Sequence, residues 1–408
     1  MSENKIQLPS DAALILNKLN AAGHEAYIVG GCVRDSILGR IPQDWDITTS
    51  ALPEETKILF DRTFDTGIQH GTITVVLHKE NYEVTTYRVD GEYADCRHPD
   101  AVSFTQNLTE DLLRRDFTMN AIAFHPTEGF RDPFFGQKDI AAGIIRGVGK
   151  PAKRFQEDAL RMLRCVRFAA QLGFSIDPLT WTALQENTPL IQKISAERIR
   201  EELEKLWLSP YTEKMPLLWE SGLLFQIDPL LSERLFSNKS FLSEIQACPR
   251  DALLRWCIVL QDHTPQEAKD FLKALKCDNH TIKNVSLLLE QLKQDAPTTP
   301  YPLRKLAGTI GADWLLSLLT LQSILRPNSP HAQSRHLLEN ILADGDCLTL
   351  KELAISGKDL MALGVPHGKL LGEILGALLD YVLQTPTQNE KNILTEKARL
   401  LLREKGLL

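Results

Sequence analysis

The feature that most limits how this chain can fold is a change of texture along it. Over the first 125 residues, short β-rich runs at 27–30, 45–49, 72–78, 82–88 and 121–124 alternate with turn signals and brief helical pieces at 53–60 and 110–114. A longer helix is expected at 10–22, opened by the N-cap candidate Ser10 and closed by Gly23. From about Glu157 the β-runs nearly vanish, and Leu-rich segments with helical spacing continue to Leu408, broken by Pro, Asn, Ser and Thr clusters at 295–302 and 326–331. The expectation is an α/β head around one sheet, followed by a long all-α body. With 408 residues there is chain enough for roughly two to four domains.

The chain carries 46 Lys+Arg against 53 Asp+Glu, a formal net charge of -7. Taken alone, that argues against a nucleic-acid partner. Residues 1–150, however, hold 15 basic and 22 acidic side chains, while the remainder balances 31 against 31. All the excess acid therefore lies in the head, where clustered carboxylates need a function. Any RNA-binding surface beyond it must come from local placement of Arg and Lys, which implies modest, salt-sensitive affinity. The seven Cys form no C-x-x-C pair or Cys/His cluster, so buried free thiols are expected in place of a disulfide framework or zinc site. No run of about 18 uncharged apolar residues occurs, and MSENKIQLPSDAAL lacks the basic-then-apolar pattern of a signal peptide. A cytoplasmic protein without membrane association is expected.

Three constellations can carry chemistry. In the first, Val29-Gly30-Gly31-Cys32-Val33-Arg34-Asp35 leaves a predicted strand and opens a predicted helix. Adjacent glycines there let backbone N–H groups approach a phosphate, and Arg34 can pair with its charge. About ten residues on, Asp44-Trp45-Asp46 falls on a predicted strand, where i and i+2 share a face. Two carboxylates side by side repel, and a hard divalent cation such as Mg²⁺ relieves this with oxygen ligation. Glu83 is a candidate third carboxylate if the run 82–88 pairs beside them. A strand-turn-helix corner, a surface turn and a solvated strand Glu are the structural alternatives.

The second constellation is Asp111-Leu112-Leu113-Arg114-Arg115-Asp116-Phe117-Thr118-Met119-Asn120-Ala121. Consecutive Arg on a helix diverge by about 100°, so one faces a site and the other serves as an ion-pair partner. In the third, a helix expected to open at Glu157 places Asp158, Arg161, Arg164 and Arg167 at three-residue steps over an apolar stripe of Leu160, Leu163, Val166 and Phe168. Asp158 then sits beside Arg161 at i, i+3. A carboxylate acceptor next to guanidinium donors matches the Watson-Crick edge of cytosine and adenine, each showing an exocyclic amine beside a ring-nitrogen acceptor. Uracil and guanine show a carbonyl and a ring N–H instead. The other reading is a solvated amphipathic helix with ordinary ion pairs, Glu157 to Arg161 among them.

Together these elements resemble the class II tRNA nucleotidyltransferase and bacterial poly(A) polymerase family, related to DNA polymerase beta. Supporting stretches are His70-Gly71-Thr72, Asp132-Pro133-Phe134, Arg146 to Gly149, Ile194-Ser195-Ala196-Glu197-Arg198-Ile199, and Ser356-Gly357-Lys358-Asp359-Leu360-Met361 with Gly364. The likeness is densest over 26–207. It implies an α+β architecture: a nucleotidyltransferase head (1–150), a helical neck bearing the nucleotide-selecting helix (151–207), and a tRNA-binding helical body and tail (208–408). It also implies Mg²⁺ ligation by Asp44 and Asp46 in a two-metal site, with Glu83 as a further ligand candidate. Triphosphate binding falls to Gly31 and Arg34, and Arg115 lies against the nucleotide. Asp158 and Arg161 select CTP or ATP, Glu157 orients that helix, and Arg164 and Arg167 assist.

The activity implied is template-independent CCA addition to the 3′ end of tRNA, with the acceptor arm held by backbone and shape contacts. A-only addition and poly(A) polymerisation are the family alternatives. Residues 90–99 resemble the complete flexible loop that CC-only members lack, the C-terminus carries no basic extension, and no His-Asp doublet of an appended phosphohydrolase is seen. An inactive RNA-binding protein is disfavoured by the intact Asp44/Asp46 pair, and nucleotide transfer to a small molecule by the long helical body. Monomer and homodimer both remain open.

Overall fold

The computed structural model describes residues 6–91 and 102–405, so the loop at 90–99 and Cys96 lie largely outside the described residues. Two compact units emerge, the first comprising Met1–Lys239 with Ala274–Lys276 and the second Ser240–Lys273 with Cys277–Leu408.

The first unit opens with α1 (Ser10–Ala21), whose Ala12, Ile15, Leu16 and Leu19 form the buried stripe. It ends where Gly23 takes φ +88. The head continues through β1 (Ala26–Val29), α2 (Gly31–Ile37), β2 (Ile47–Thr49), α3 (Pro53–Leu59), β3 (Thr63–Gly67), β4 (Thr72–Leu77), β5 (Glu80–Thr86), β6 (Arg88–Asp90), β7 (Val102–Phe104), α4 (Leu108–Leu113), β8 (Ala123–His125), β9 (Gly129–Arg131), α5 (Gly136–Ala142) and β10 (Ile144–Ile145). One seven-stranded sheet runs β3-β4-β5-β2-β1-β8-β9. Only the β2–β5 pairing is parallel within it, and β1 lies inside the sheet between β2 and β8, buried along its whole length. The run expected as one strand over 82–88 is divided: Tyr87, fully buried, separates β5 from the two-stranded β6–β7 pair.

Helices α6 (Pro151–Glu157), α7 (Leu160–Leu172), α8 (Pro178–Asn187) and α9 (Ala196–Trp207) follow, with the short β11 (Ser175–Ile176) between α7 and α8. The helix expected to open at Glu157 is a correction. Asp158 has extended φ/ψ of -140/102, so α6 stops before it and α7 begins at Leu160.

Among its described residues the second unit is helical throughout. Cys347, Leu353, Ile355, Leu360, Val365, Ile374, Leu378, Val382, Leu394, Ala398 and Leu402 form one of its buried clusters. The helix at Gly357–Ala362 starts with a reciprocal capping box between Ser356 and Asp359. No single helix among the described residues is long and apolar enough to cross a membrane. The bent pair Pro300–Ile310 and Ala312–Leu325 passes such a test only jointly, and it turns through 111°. The six described Cys are buried and form no disulfide among themselves.

Candidate active site

Gly30 joins β1 to α2 with φ +85, and a Cβ there would stand 3.0 Å from Arg115 Nη1 and 3.9 Å from Asp46 Oδ2. The backbone conformation disfavours any side chain here, and Arg115 would have to give way to a Cβ. The glycine pair therefore lets the backbone itself line the space between an arginine and a carboxylate.

Asp44 and Asp46 lie just before β2, not on it as expected, because β2 begins at Ile47. The strand geometry still extends to Asp46, whose carbonyl accepts a hydrogen bond from Val29 N–H at 3.0 Å. Asp46 and Glu83 each precede one member of the parallel pair Ile47–Val84, so Glu83 stands on the neighbouring strand beside Asp46. Burial pushes the Asp46 carboxyl up to about 6. Arg115 pulls it back, while Glu83 and Asp44 push it further. All the donors are hard carboxylate oxygens and two of them share a short extended segment. This suits Mg²⁺, which takes one or two carboxylates and fills its remaining positions with phosphate and water. Among the described residues, no group of three or more His, Cys, Asp and Glu is gathered tightly enough to hold a metal ion.

Arg114 and Arg115 both turn toward Asp111, and Arg115 also reaches the Gly30 turn. Arg114 closes on Asp111 Oδ1 through Nε at 3.0 Å and Nη2 at 2.8 Å, while Arg115 Nη2 stands 3.6 Å from Oδ2 and Nε is buried without a protein acceptor. Asp111 is fully buried and also accepts from Thr48 Oγ1 and from the backbone N–H of Arg88. Burial alone would raise its carboxyl, but Arg114, Arg115 and these hydrogen bonds override it and hold it low.

A continuous polar chain links α2 to α7. Arg34 donates to Asp35 through Nε and Nη2 at 2.9 and 3.0 Å, and to Asn120 Oδ1 through Nη1 at 2.7 Å. Asn120 Nδ2 donates to Asp116 Oδ1 at 2.9 Å, and Asp116 Oδ2 accepts from Arg164 Nε at 2.9 Å. Burial works against the Asp116 anion, but Arg164, Asn120 and Arg161 outweigh it and bring its carboxyl down to about 2. The ring of Phe168 lies 4.9, 5.3 and 3.9 Å from the guanidinium carbons of Arg34, Arg164 and Arg167. Arg167 is buried and committed to Glu202 Oε2 at 2.5 Å and Gln171 Oε1 at 2.6 Å. Its burial lowers its pKa.

Asp158 and Arg161 are not paired with each other as the helical spacing suggested. Arg161 Nη1 donates to Glu157 Oε2 at 2.9 Å and to the Arg154 carbonyl at 3.1 Å, and Nη2 donates to the Arg114 carbonyl at 2.7 Å. This leaves its Nε–H and one Nη2 hydrogen, the side edge of the guanidinium. Asp158 is held by Arg198 of α9, through Nη1 at 3.2 Å and Nη2 at 2.8 Å. The pairing needs the break before α7, which turns Asp158 out of the helical path.

The site therefore gathers Gly30, Gly31, Arg34, Asp46 and Arg115 around one turn, with Asp44 and Glu83 at its edge. Arg164 and Arg161 are tied to the same region through Asp116 and the Arg114 carbonyl, while Asp158 is held by Arg198. Asn120, Asp116, Glu202 and Arg198 were not singled out from sequence, and Phe168 was read only as part of an apolar stripe. Asp116 and Asn120 lie inside the second constellation and Arg198 inside the 194–199 stretch. Their signal was the density of paired charges, and only the fold assigns the partners.

A model of the poly A polymerase head domain matches residues 26–146, one of the tRNA nucleotidyltransferase domain 2 matches 251–398, and one described as a probable RNA and SrmB-binding site of polymerase A matches 173–235. The chain is 39% identical to the CCA-adding enzyme of Geobacillus kaustophilus over 389 residues, 94% of this chain and 95% of that one. With the CCA-adding enzyme of Lactiplantibacillus plantarum it shares 37% identity over 417 residues, 98% and 99% of the two chains. The crystal structure of the Bacillus stearothermophilus CCA-adding enzyme in complex with CTP superimposes with a TM-score of 0.82 at 35% identity, covering 98% of this chain and 100% of that one.

Proposed function

The chain belongs to the CCA-adding enzymes, and on that premise we propose that it completes the 3′ end of tRNA from CTP and ATP, releasing pyrophosphate. The observation that carries the reading is the joining of two elements in one unit: the Asp44/Asp46 pair at the Gly30 turn, and the open edges of Asp158 and Arg161. The first suits nucleotidyl transfer in general, and the second narrows it to bases whose exocyclic amine stands beside a ring-nitrogen acceptor.

Asp44 and Asp46 would hold Mg²⁺, with Glu83 as the neighbour that adds negative charge beside Asp46. When bound, Mg²⁺ in a two-metal site polarises the RNA 3′-hydroxyl and the α-phosphate and neutralises the pyrophosphate. The chain's own groups do the rest. Backbone at Gly30 and Gly31 leaves room for the triphosphate, and Arg34, fixed by Asn120 and Asp35, sets a cation beside it. Arg115 keeps a buried Nε donor for the nucleotide. Asp158 accepts the amine of cytosine or adenine, and Arg161 donates to the adjacent ring nitrogen. Arg164 adds positive charge, and Arg167 acts through Glu202.

Division of labour follows the sequence: 1–150 performs transfer, 151–207 selects the base, and 208–408 holds the tRNA acceptor arm. Cytoplasm is the compartment proposed, where tRNA and nucleoside triphosphates are met. The test incubates purified protein with tRNA transcripts lacking one, two or all three terminal nucleotides, each with labelled CTP or ATP. Products ending at CCA are expected. A single A or a long A ladder would move the chain to A-only addition or poly(A) polymerisation, and no incorporation would sink the reading.

A further inference from the structure

We propose that Arg198 is a specificity-positioning residue, whose guanidinium fork orients the Asp158 carboxylate so that a single acceptor position, on Oδ2, remains for the incoming base. The inference rests on the reading of Asp158 as the base-selecting group.

A carboxylate offers about four acceptor positions. Oδ1 of Asp158 accepts from Leu160 N–H at 3.1 Å and from Arg198 Nη1 at 3.2 Å, while Oδ2 accepts from Arg198 Nη2 at 2.8 Å. Oδ1 is therefore saturated and Oδ2 has one position open. The planar fork and the backbone donor together fix the plane of the carboxylate, which a point charge could not do. The Asp158 and Arg198 side chains remain 18% and 26% exposed, so the pair is accessible to a ligand. An exocyclic amine supplies a hydrogen to the open position. Uracil O4 and guanine O6 meet it acceptor to acceptor. Freed from the fork, the carboxylate can turn toward the uracil ring N–H, an acceptable partner that the fixed orientation denies. Arg198 itself touches no base.

The test compares single-turnover incorporation of CTP and UTP by the full chain on tRNA lacking its terminal nucleotides, for the parent, Arg198→Ala and Arg198→Lys. Both variants are expected to lower the CTP-over-UTP ratio of kcat/KM at least about tenfold, chiefly through a higher KM for CTP, because Lys restores the charge without the fork. A purely structural role would slow both nucleotides together and leave the ratio alone. A ratio within about twofold of the parent in Arg198→Lys, with a parent-like melting temperature, overturns the proposal. If Arg198→Ala does not fold, Arg198→Lys decides. Asp158→Ala separates the two levels: if it keeps the ratio, the base-selecting reading falls and this inference with it. If it loses the ratio while the Arg198 variants keep it, this inference alone falls.

Discussion

Asp116 shows how single residues set the properties of the site. Its carboxyl falls from the ordinary 3.8 to about 2, so its contribution to stability is present above the ordinary value and is lost as pH drops toward 2. That contribution is about 2 kcal/mol, roughly half of it gone by pH 3. Urea unfolding at pH 5 and pH 3 should therefore show a smaller acid loss for Asp116→Asn than for the parent, by about 1 kcal/mol. Equal slopes would disprove the assignment. Asp44→Ala or Asp46→Ala is expected to abolish incorporation, by at least about a thousandfold, while tRNA binding measured by filter retention stays near the parent level. Retained turnover would remove the two carboxylates from the chemistry. Asp158→Ala is expected to let UTP and GTP in, and unchanged choice among the four nucleotides would contradict its role. Gly31 with Arg34, and Asp44 with Asp46, could be picked out as candidates in sequence because each pair is close along the chain, whereas only the fold brings Arg115 to the same turn. The partner of Asp158 was not, because helical spacing pointed to Arg161 and the break at Asp158 redirects it to Arg198, forty positions on.

At the scale of elements, the strands that sequence located were those with a buried face, and the ones it missed are at the margins. β3 and β9 form the two edges of the sheet, and β3 buries none of its residues, so neither leaves an alternating apolar trace. The helix α5 was missed for a related reason, being short. Its first residue nevertheless fixes the turn that carries Asn120. A Cβ on Gly136 would fall 2.1 Å from the Thr118 carbonyl oxygen, which is backbone and has little room to move. Gly136→Ala should cost roughly 1–3 kcal/mol in thermal or urea unfolding and weaken nucleotide binding through Asn120 and Arg34. A variant as stable as the parent would show that the turn yields.

For the whole molecule, the charge balance outside the head, 31 against 31, sets the character of RNA binding. Affinity for tRNA should fall at least about tenfold between roughly 50 and 200 mM salt, with a slope set by a few phosphate contacts, and a salt-independent affinity would refute backbone recognition. The all-α remainder was plain in the sequence because helical periodicity survives over long segments. The boundaries of its compact units were not, since Ala274–Lys276 joins the first unit from within the second. The one open acceptor on Asp158 has a consequence best put in the language of signalling. Four letters require two binary questions, and a lone fixed acceptor asks only one: whether the base presents an amine hydrogen at the one place that the acceptor occupies. Cytosine and adenine answer alike, so this carboxylate transmits one bit. The second bit, C or A, therefore has to come from somewhere other than this acceptor.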